Sequence, residues 1–320
     1  MRTGDFVEAR RRLQEKSLAA TEKLTTLSQA ARLVKDGDHV AVGGCMFTRT
    51  PLALLMEILR QGQKELTLSK NLMCNEGEWF MAAERVEAII TSWLGIGLPW
   101  GISRILRENA ESAEPKVRYE DLSHMALGLR YRAGAMGIPF LPTLTMLGSD
   151  LMDVAEVKPM TCPYTGEKLS LVPALFPDVA LIHVHRADAF GNCQADGYPF
   201  MDADVAAAST RVLVTAEEIV SEDVIRRQPE RTIIPGFMVD ALVEVPFGSF
   251  PHECHGLYRA DYGHFDEYVN QIHEHGTEAI RLYLERYVFG VESHEDYMAL
   301  FDREKIEELV QEAAMLVEIE

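Results

Sequence analysis

Residues 39–44 read HVAVGG, and seven residues later Pro51 opens PLALLMEILRQG, residues 51–62. An apolar run that ends in two glycines reads as a buried strand entering a turn. A proline at the start of an amphipathic stretch and Gly62 just past its end mark the two termini of a helix. Strand, glycine turn and helix together open a βαβ unit. Just upstream, apolar residues recur at helical spacing from Leu27 to Val34, and Gly37 in Asp36-Gly37-Asp38 supplies a C-terminal cap. Downstream, ELTLS (65–69), VEAIITSWLG (86–95), VRYEDL (117–122), SLVPAL (170–175), DVALIHVHRAD (178–188), RVLVTAEEIV (211–220) and ALVEVP (241–246) read as strands. Helical patterns lie between them, at 125–136 ahead of Gly137-Ile138-Pro139 and at 202–210, and an amphipathic helical tail begins near residue 267. Apolar strands alternating with helices predict an α/β fold with an open, mainly parallel sheet flanked by helices.

The 320 residues are 47% hydrophobic and 25% charged, the proportions of a folded globular chain. Lys and Arg number 31 against 50 Asp and Glu, a net charge of −19. A surface that acidic repels phosphate backbones, so nucleic acid is not an expected partner. The first sixteen residues are charged and have no apolar core of a signal peptide, and no apolar run approaches the roughly 20 residues that span a bilayer. The cysteines (Cys45, Cys74, Cys162, Cys193 and Cys254) are odd in number and form no CxxC pair, which argues against structural zinc and a disulfide framework. A reducing, cytoplasmic setting without a membrane is the expectation. Residues 1–25 read as a helical extension with a basic cluster at Arg10, Arg11 and Arg12, residues 26–290 as the main domain, and 291–320 as a helical tail packed on it.

Five places could carry chemistry. In Gly43-Gly44-Cys45-Met46-Phe47-Thr48-Arg49-Thr50-Pro51, glycines let a backbone approach a ligand and the next helix N-terminus attracts anions. A carboxylate or phosphate fits there as well as an ordinary strand-to-helix turn does, and the spacing is neither a dinucleotide fingerprint nor a P-loop. In Asn75-Glu76-Gly77-Glu78-Trp79, Glu76 is a base or nucleophile if buried near substrate, although a solvated loop glutamate is the commoner case. His124 after Ser123 could hold a carboxylate or move a proton, against a structural hydrogen-bonded histidine. Cys162 in TCPYTGE (161–167) sits in a Pro and Gly turn, where a structural loop is the better account than a nucleophile. His183 and His185 share a strand face with Asp188 beyond them, and His252-Glu253-Cys254-His255 lacks the helical HExxH spacing. Neither set reads as a metal centre.

Taken in order, DGDHVAVGG, FTRTP, EILRQG, MGIPFLP, Gly148-Ser149-Asp150, TCPYTGE, DVALIHVHRAD, TAEEIVSEDVIRR and IIPGFMVDALVEVPFGSFPHECHGLY resemble the A subunits of family I CoA-transferases over residues 26–290. TCPYTGE leans toward the 3-oxoadipate type, and EEIVSEDVIRR with IPGFMVDALVEVPFGS toward the glutaconate type. The chain departs from the pattern where Cys45 follows the glycine pair and where Arg49 stands in place of a glycine.

The resemblance implies an open α/β fold akin to sugar-phosphate isomerases, and CoA moving from succinyl-CoA or acetyl-CoA to a carboxylic acid, a dicarboxylate or 3-oxo acid. It implies a partner B subunit, in an A2B2 assembly, that supplies the nucleophilic glutamate as an acyl anhydride and then a glutamyl-CoA thioester. This chain then carries no catalytic residue and shapes the substrate pocket. Gly43, Gly44, Phe47, Thr48 and Arg49 belong to the turn at the site, Arg49 and His124 recognise the acid, and Asn75 and Glu76 lie nearby. No metal or redox cofactor is required, the coenzyme A thioester being a substrate. Two alternatives come from the same relatives: one chain of a ring-opening acyl-CoA hydrolase, or a non-catalytic acyl-CoA-binding chain.

Overall fold

The computed structural model describes residues 5–97, 99–155 and 157–317. Positions 1–4 of the expected N-terminal extension and 318–320 of the expected C-terminal tail lie outside the described residues.

The opening βαβ unit forms as the sequence predicts. His39–Val42 is a strand and Leu52–Gln61 a helix, with Gly62 in the left-handed conformation at its C-cap. Seven strands run parallel across the main sheet, in the spatial order Arg118–Asp121, Val86–Thr91, Leu66–Lys70, His39–Val42, Val179–Ala187, Arg211–Ile219 and Ala241–Glu244. From His39–Val42 the chain winds outward on one side, and from Val179–Ala187 it winds outward on the other. The order therefore reverses between these two strands, and such a switch point opens a crevice beyond their carboxyl ends.

Side chains alternate across the sheet. Val40 and Val42 point into a core shared with Leu52, Leu55, Leu59, Trp79 and the C-terminal helices. Ala41, Ile182 and Val184 point into a second core, against Leu127, Tyr131 and Val205 of the helices His124–Met136 and Asp202–Ala208. Both faces are covered, which is why the central strands read as unbroken apolar runs.

Three features differ from the sequence reading. SLVPAL does form a strand, within Lys168–Pro173, but it joins an antiparallel sheet with Phe140–Thr143 and Lys158–Thr161, and the turn TCPYTGE closes that hairpin. Asn75–Ala82, read as a loop, is a helix in which every residue is buried. Among the described residues of the N-terminal extension only Asp5–Glu15 is helical; the chain beyond it runs over the sheet edge, where Leu24 pairs with Leu242. In the tail, the helices His294–Met298 and Arg303–Val317 bury Tyr297, Leu309 and Ala313.

Candidate active site at the switch point

The turn that leaves His39–Val42 is tightly built. A Cβ on Gly43 would lie 2.9 Å from Asp202 Oδ1, and one on Gly44, whose φ is +72°, would lie 2.3 Å from the Thr48 carbonyl oxygen. Most backbone N–H groups of the turn find acceptors within the protein. Gly43 donates to Leu181 O at 2.8 Å, Cys45 to Thr48 O at 3.0 Å, Met46 to Leu72 O at 3.1 Å, Thr48 to Cys45 O at 2.9 Å and Arg49 to Glu253 O at 2.9 Å. Gly44 N–H donates to Asp202 Oδ1 at 2.8 Å. In the first turn of the following helix, Ala53 N–H donates to Gly248 O at 2.9 Å. A donor already paired inside the protein is not offered to a ligand, so these bonds narrow what the turn could present to an anion.

Arg49 is buried and has left-handed φ of +53°. Its Nη1 pairs with Asp202 Oδ2 at 2.6 Å and donates to His183 O at 3.1 Å, while Nη2 donates to Tyr198 O at 2.8 Å. The guanidinium lies 5.4 Å over the Phe200 ring. The sequence reading placed Arg49 as an acid-binding cation. In the structure its charge is neutralised by Asp202, and it ties the 43–50 turn to the 198–202 segment. Asp202, which no sequence signal marked, is the centre of this clamp. Phe47 is buried against Phe265 and His252, with ring centroids 4.6 and 5.3 Å away. Thr48 stays half-buried and donates to Glu253 Oε1 at 2.8 Å.

A second buried ion pair lies beside the first. Lys70 closes the strand Leu66–Lys70, and its ammonium donates to Glu76 Oε1 and Thr50 Oγ1, each at 2.7 Å, and to Met46 O at 3.2 Å. A lysine ending an apolar strand was a legible signal that the sequence reading passed over. Glu76 and Asn75 sit in the first turn of the helix Asn75–Ala82, not in a solvated loop. Asn75 Oδ1 is 2.7 Å from His252 Nε2, and burial, followed by the charge of Lys70, holds the His252 imidazole well below its usual pKa. Burial raises the Cys45 thiol. It also pushes the Glu78 carboxyl up to about 7, despite bonds from Ser103 and from the Tyr268 hydroxyl at 2.8 Å.

His124 is the first residue of the helix His124–Met136, whose N-cap Ser123 accepts from Ala126 N–H at 3.1 Å. Its side chain is exposed, and its carbonyl accepts from Asn71 Nδ2 at 3.3 Å. The same Asn71 amide lies 2.8 Å from Met201 Sδ. The structure therefore gathers the 43–50 turn, residues 70–76, His124 and residues 198–202 at the carboxyl ends of the central strands. The histidines that the sequence reading weighed and set aside as metal ligands are engaged in hydrogen bonds. His183 lies 2.8 Å from Thr215 Oγ1 and 2.7 Å from Glu217 Oε1, and Tyr258 also donates to Glu217. His185 Nε2 lies 2.8 Å from His255 O. A different set, His183, Glu217 and Cys254, brings its ligand atoms within 4.8 Å of one another, but its His and Glu are already bonded to each other.

A coenzyme A transferase family model matches residues 24–245. The chain belongs to the coenzyme A transferase family. It is 34% identical to the A subunit of glutaconate CoA-transferase from Acidaminococcus fermentans, over 86% of this chain and 91% of that one. It is 32% identical to the A subunit of 3-oxoadipate CoA-transferase from Pseudomonas knackmussii, over 87% and 97%. The crystal structure of glutaconate coenzyme A-transferase from A. fermentans superposes with a TM-score of 0.82 at 32% identity, covering 90% of this chain and 95% of that chain. A protein of Archaeoglobus fulgidus is 39% identical over 90% of this chain, which spans 62% of the length of that relative. Among the described residues no helix is long and apolar enough to cross a membrane.

Proposed function

We propose that this chain is the A subunit of a two-chain CoA-transferase that takes CoA from succinyl-CoA or acetyl-CoA and passes it to a carboxylic acid. The observation that carries the reading is the state of the carboxylates at the switch point. Glu76 is buried and held by Lys70, and Asp202 is buried and held by Arg49 and Gly44. A carboxylate locked into an ion pair and shut away from solvent is a poor nucleophile toward a bulky thioester. The nucleophile then comes from a glutamate of a partner B subunit facing the crevice. The names of the A-subunit relatives point the same way.

In this reading the partner's carboxylate adds to the acyl carbonyl and expels the CoA thiolate, leaving an acyl-glutamyl anhydride. The thiolate then attacks the glutamyl carbonyl, releasing the donor acid and forming the glutamyl-CoA thioester. The incoming acid reverses the sequence and leaves as its CoA ester. The A chain supplies a rigid floor, because both buried ion pairs fix the walls around the reacting groups before substrate arrives.

The test is to co-express the chain with a B-type partner, incubate with succinyl-CoA or acetyl-CoA, and trap with hydroxylamine or borohydride. Mass spectrometry then locates the label. Label on a partner glutamate is the expected result. Label on Glu76 moves the nucleophile to this chain, and thioester hydrolysis without label in either chain favours the hydrolase alternative.

A further inference from the structure

Away from the switch point, this chain by itself surrounds a cavity of about 540 Å³. Register fixes one wall. In the small antiparallel sheet Phe140 pairs with Pro173 and Lys158 with Leu171. Directly paired residues share a face, and so do residues two apart, so these four side chains lie on one face of that sheet. The other face, with Leu141 and Val172, packs into the second core. The facing wall comes from Arg118 and Glu120, on one side of the edge strand Arg118–Asp121. Phe6 of the helix Asp5–Glu15 and Phe176, ring to ring at 5.6 Å, also line the cavity. Arg118 opens its strand and Phe176 precedes the strand Val179–Ala187, so the cavity lies at the amino ends of the main sheet.

The lining divides by depth. Ala155, Ala174 and Phe176 are buried and apolar. One buried ion pair lies among them, Arg130 with Glu120, and Arg130 Nε also donates to Pro173 O at 3.0 Å. At the rim the charge is positive. The Arg118 side chain is 59% exposed, and its Nη1 lies 3.9 Å from Glu120 Oε2, too far for a hydrogen bond. Lys158 is exposed and, among the described residues, makes no side-chain hydrogen bond or ion pair. The chain carries a net charge of −19, yet the two charges at this rim that hold no carboxylate by a hydrogen bond are both cations.

We infer that this cavity is a second binding site, for a medium-chain carboxylic acid. Its carboxylate lies at the rim with Arg118 and Lys158, and its hydrocarbon tail runs inward along Leu171, Pro173, Ala174 and Phe176. The volume falls within the roughly 300–1,000 Å³ of small-molecule sites, which pair apolar walls with a few placed polar groups. The cations give the head charge-assisted bonds, and the walls take the tail out of water. A bare anion such as phosphate leaves the apolar walls wet, and a neutral hydrocarbon leaves the cations without a partner. The site is complete within one chain, so it depends neither on the A-subunit reading nor on a B subunit.

The experiment is isothermal titration calorimetry on the full chain, repeated on the chain co-expressed with a B-type partner. The probes are hexanoate, octanoate and decanoate, with inorganic phosphate as the bare anion. The expected result is one fatty acid per chain, in both preparations, with affinity rising at least about two-fold for each added methylene. Arg118→Ser combined with Lys158→Ser, both at the exposed rim, should weaken decanoate by roughly ten-fold or more. Leu171→Trp, which fills the cavity, should abolish binding; if that variant does not fold, the rim variant decides. No decanoate bound at about 1 mM, an affinity independent of tail length, or phosphate bound as tightly as decanoate overturns the inference. So does a rim variant that binds like wild type. Binding by the lone chain that disappears in the two-chain preparation also overturns it, because the cavity is then a contact between the chains.

Discussion

Glu78 shows how a single buried carboxyl reports on its surroundings. It lies on the helix Asn75–Ala82, and burial raises its pKa from 4.5 to about 7, against the bonds from Ser103 and Tyr268 and with added push from Glu76. In the unfolded chain the same group ionises near 4.5. A group whose folded pKa is raised gives stability that is full below the unfolded pKa and lost as pH rises through the folded one. Wild-type stability therefore falls between pH 4.5 and 7 relative to a chain that cannot ionise there. Glu78→Gln is that chain: its melting temperature, compared with wild type at pH 5 and pH 8, should gain on wild type at the higher pH. An unchanged difference between the two proteins across that window would place Glu78 in water. Glu76, two residues earlier, has a counter-ion that Glu78 lacks: Lys70, 2.7 Å away.

The turn between the strand His39–Val42 and the helix Leu52–Gln61 is the element on which the site hangs. At Gly44 an added Cβ meets backbone, 2.3 Å from Thr48 O and 2.6 Å from Arg49 O, and φ is +72°. At Gly37 φ is +80° but nothing lies within 4 Å. Both alanine variants bear the left-handed penalty, about 1–2 kcal/mol. Gly44→Ala adds a backbone collision that only a moved turn can relieve, so it should lose at least about 2 kcal/mol more than Gly37→Ala in urea unfolding. Equal losses would mean the turn yields freely. This turn was legible in the sequence because glycines, a proline and a buried parallel strand each leave a local mark. The helix Asn75–Ala82 was not, for its N-cap Cys74 makes no side-chain bond and its residues are buried on all sides, so neither a cap nor a polar face announces it. The clamp on the turn was illegible for a different reason: Arg49 and Asp202 are 153 residues apart, and only the reversal of strand order brings them together. SLVPAL was recognisable as a strand, but which sheet it joins is decided by its partners at 140–143 and 158–161.

Across the whole molecule the sheet has a direction, and that direction separates chemistry from support. The proposed site lies beyond the carboxyl ends of the strands. The N-terminal helix Asp5–Glu15 packs at their amino ends, where Ala9 is buried with Ala133, Ala174 and Phe176, and Phe6 and Leu13 close the same cluster. Phe6 and Phe176 lie ring to ring at 5.6 Å. Arg12 pairs with Asp178, whose other oxygen accepts from His39 N–H at 3.0 Å, so the helix props the first residues of the two central strands. Deleting residues 1–15 uncovers this cluster and leaves Asp178 with its backbone bond alone. The deletion should cost roughly 1–2 kcal/mol, since the cluster is small and the ion pair is partly exposed. In a chain of this size that lowers the melting temperature by about 1.5–3 °C. Turnover by the two-chain complex should stay within about two-fold of wild type at temperatures below that midpoint, because the ion pairs Arg49–Asp202 and Lys70–Glu76 that hold the site make no contact with the deleted helix. A deletion that melts like wild type but loses ten-fold or more in kcat would place the extension in the contact between the chains or over the crevice, and would contradict the polarity argued from the sheet.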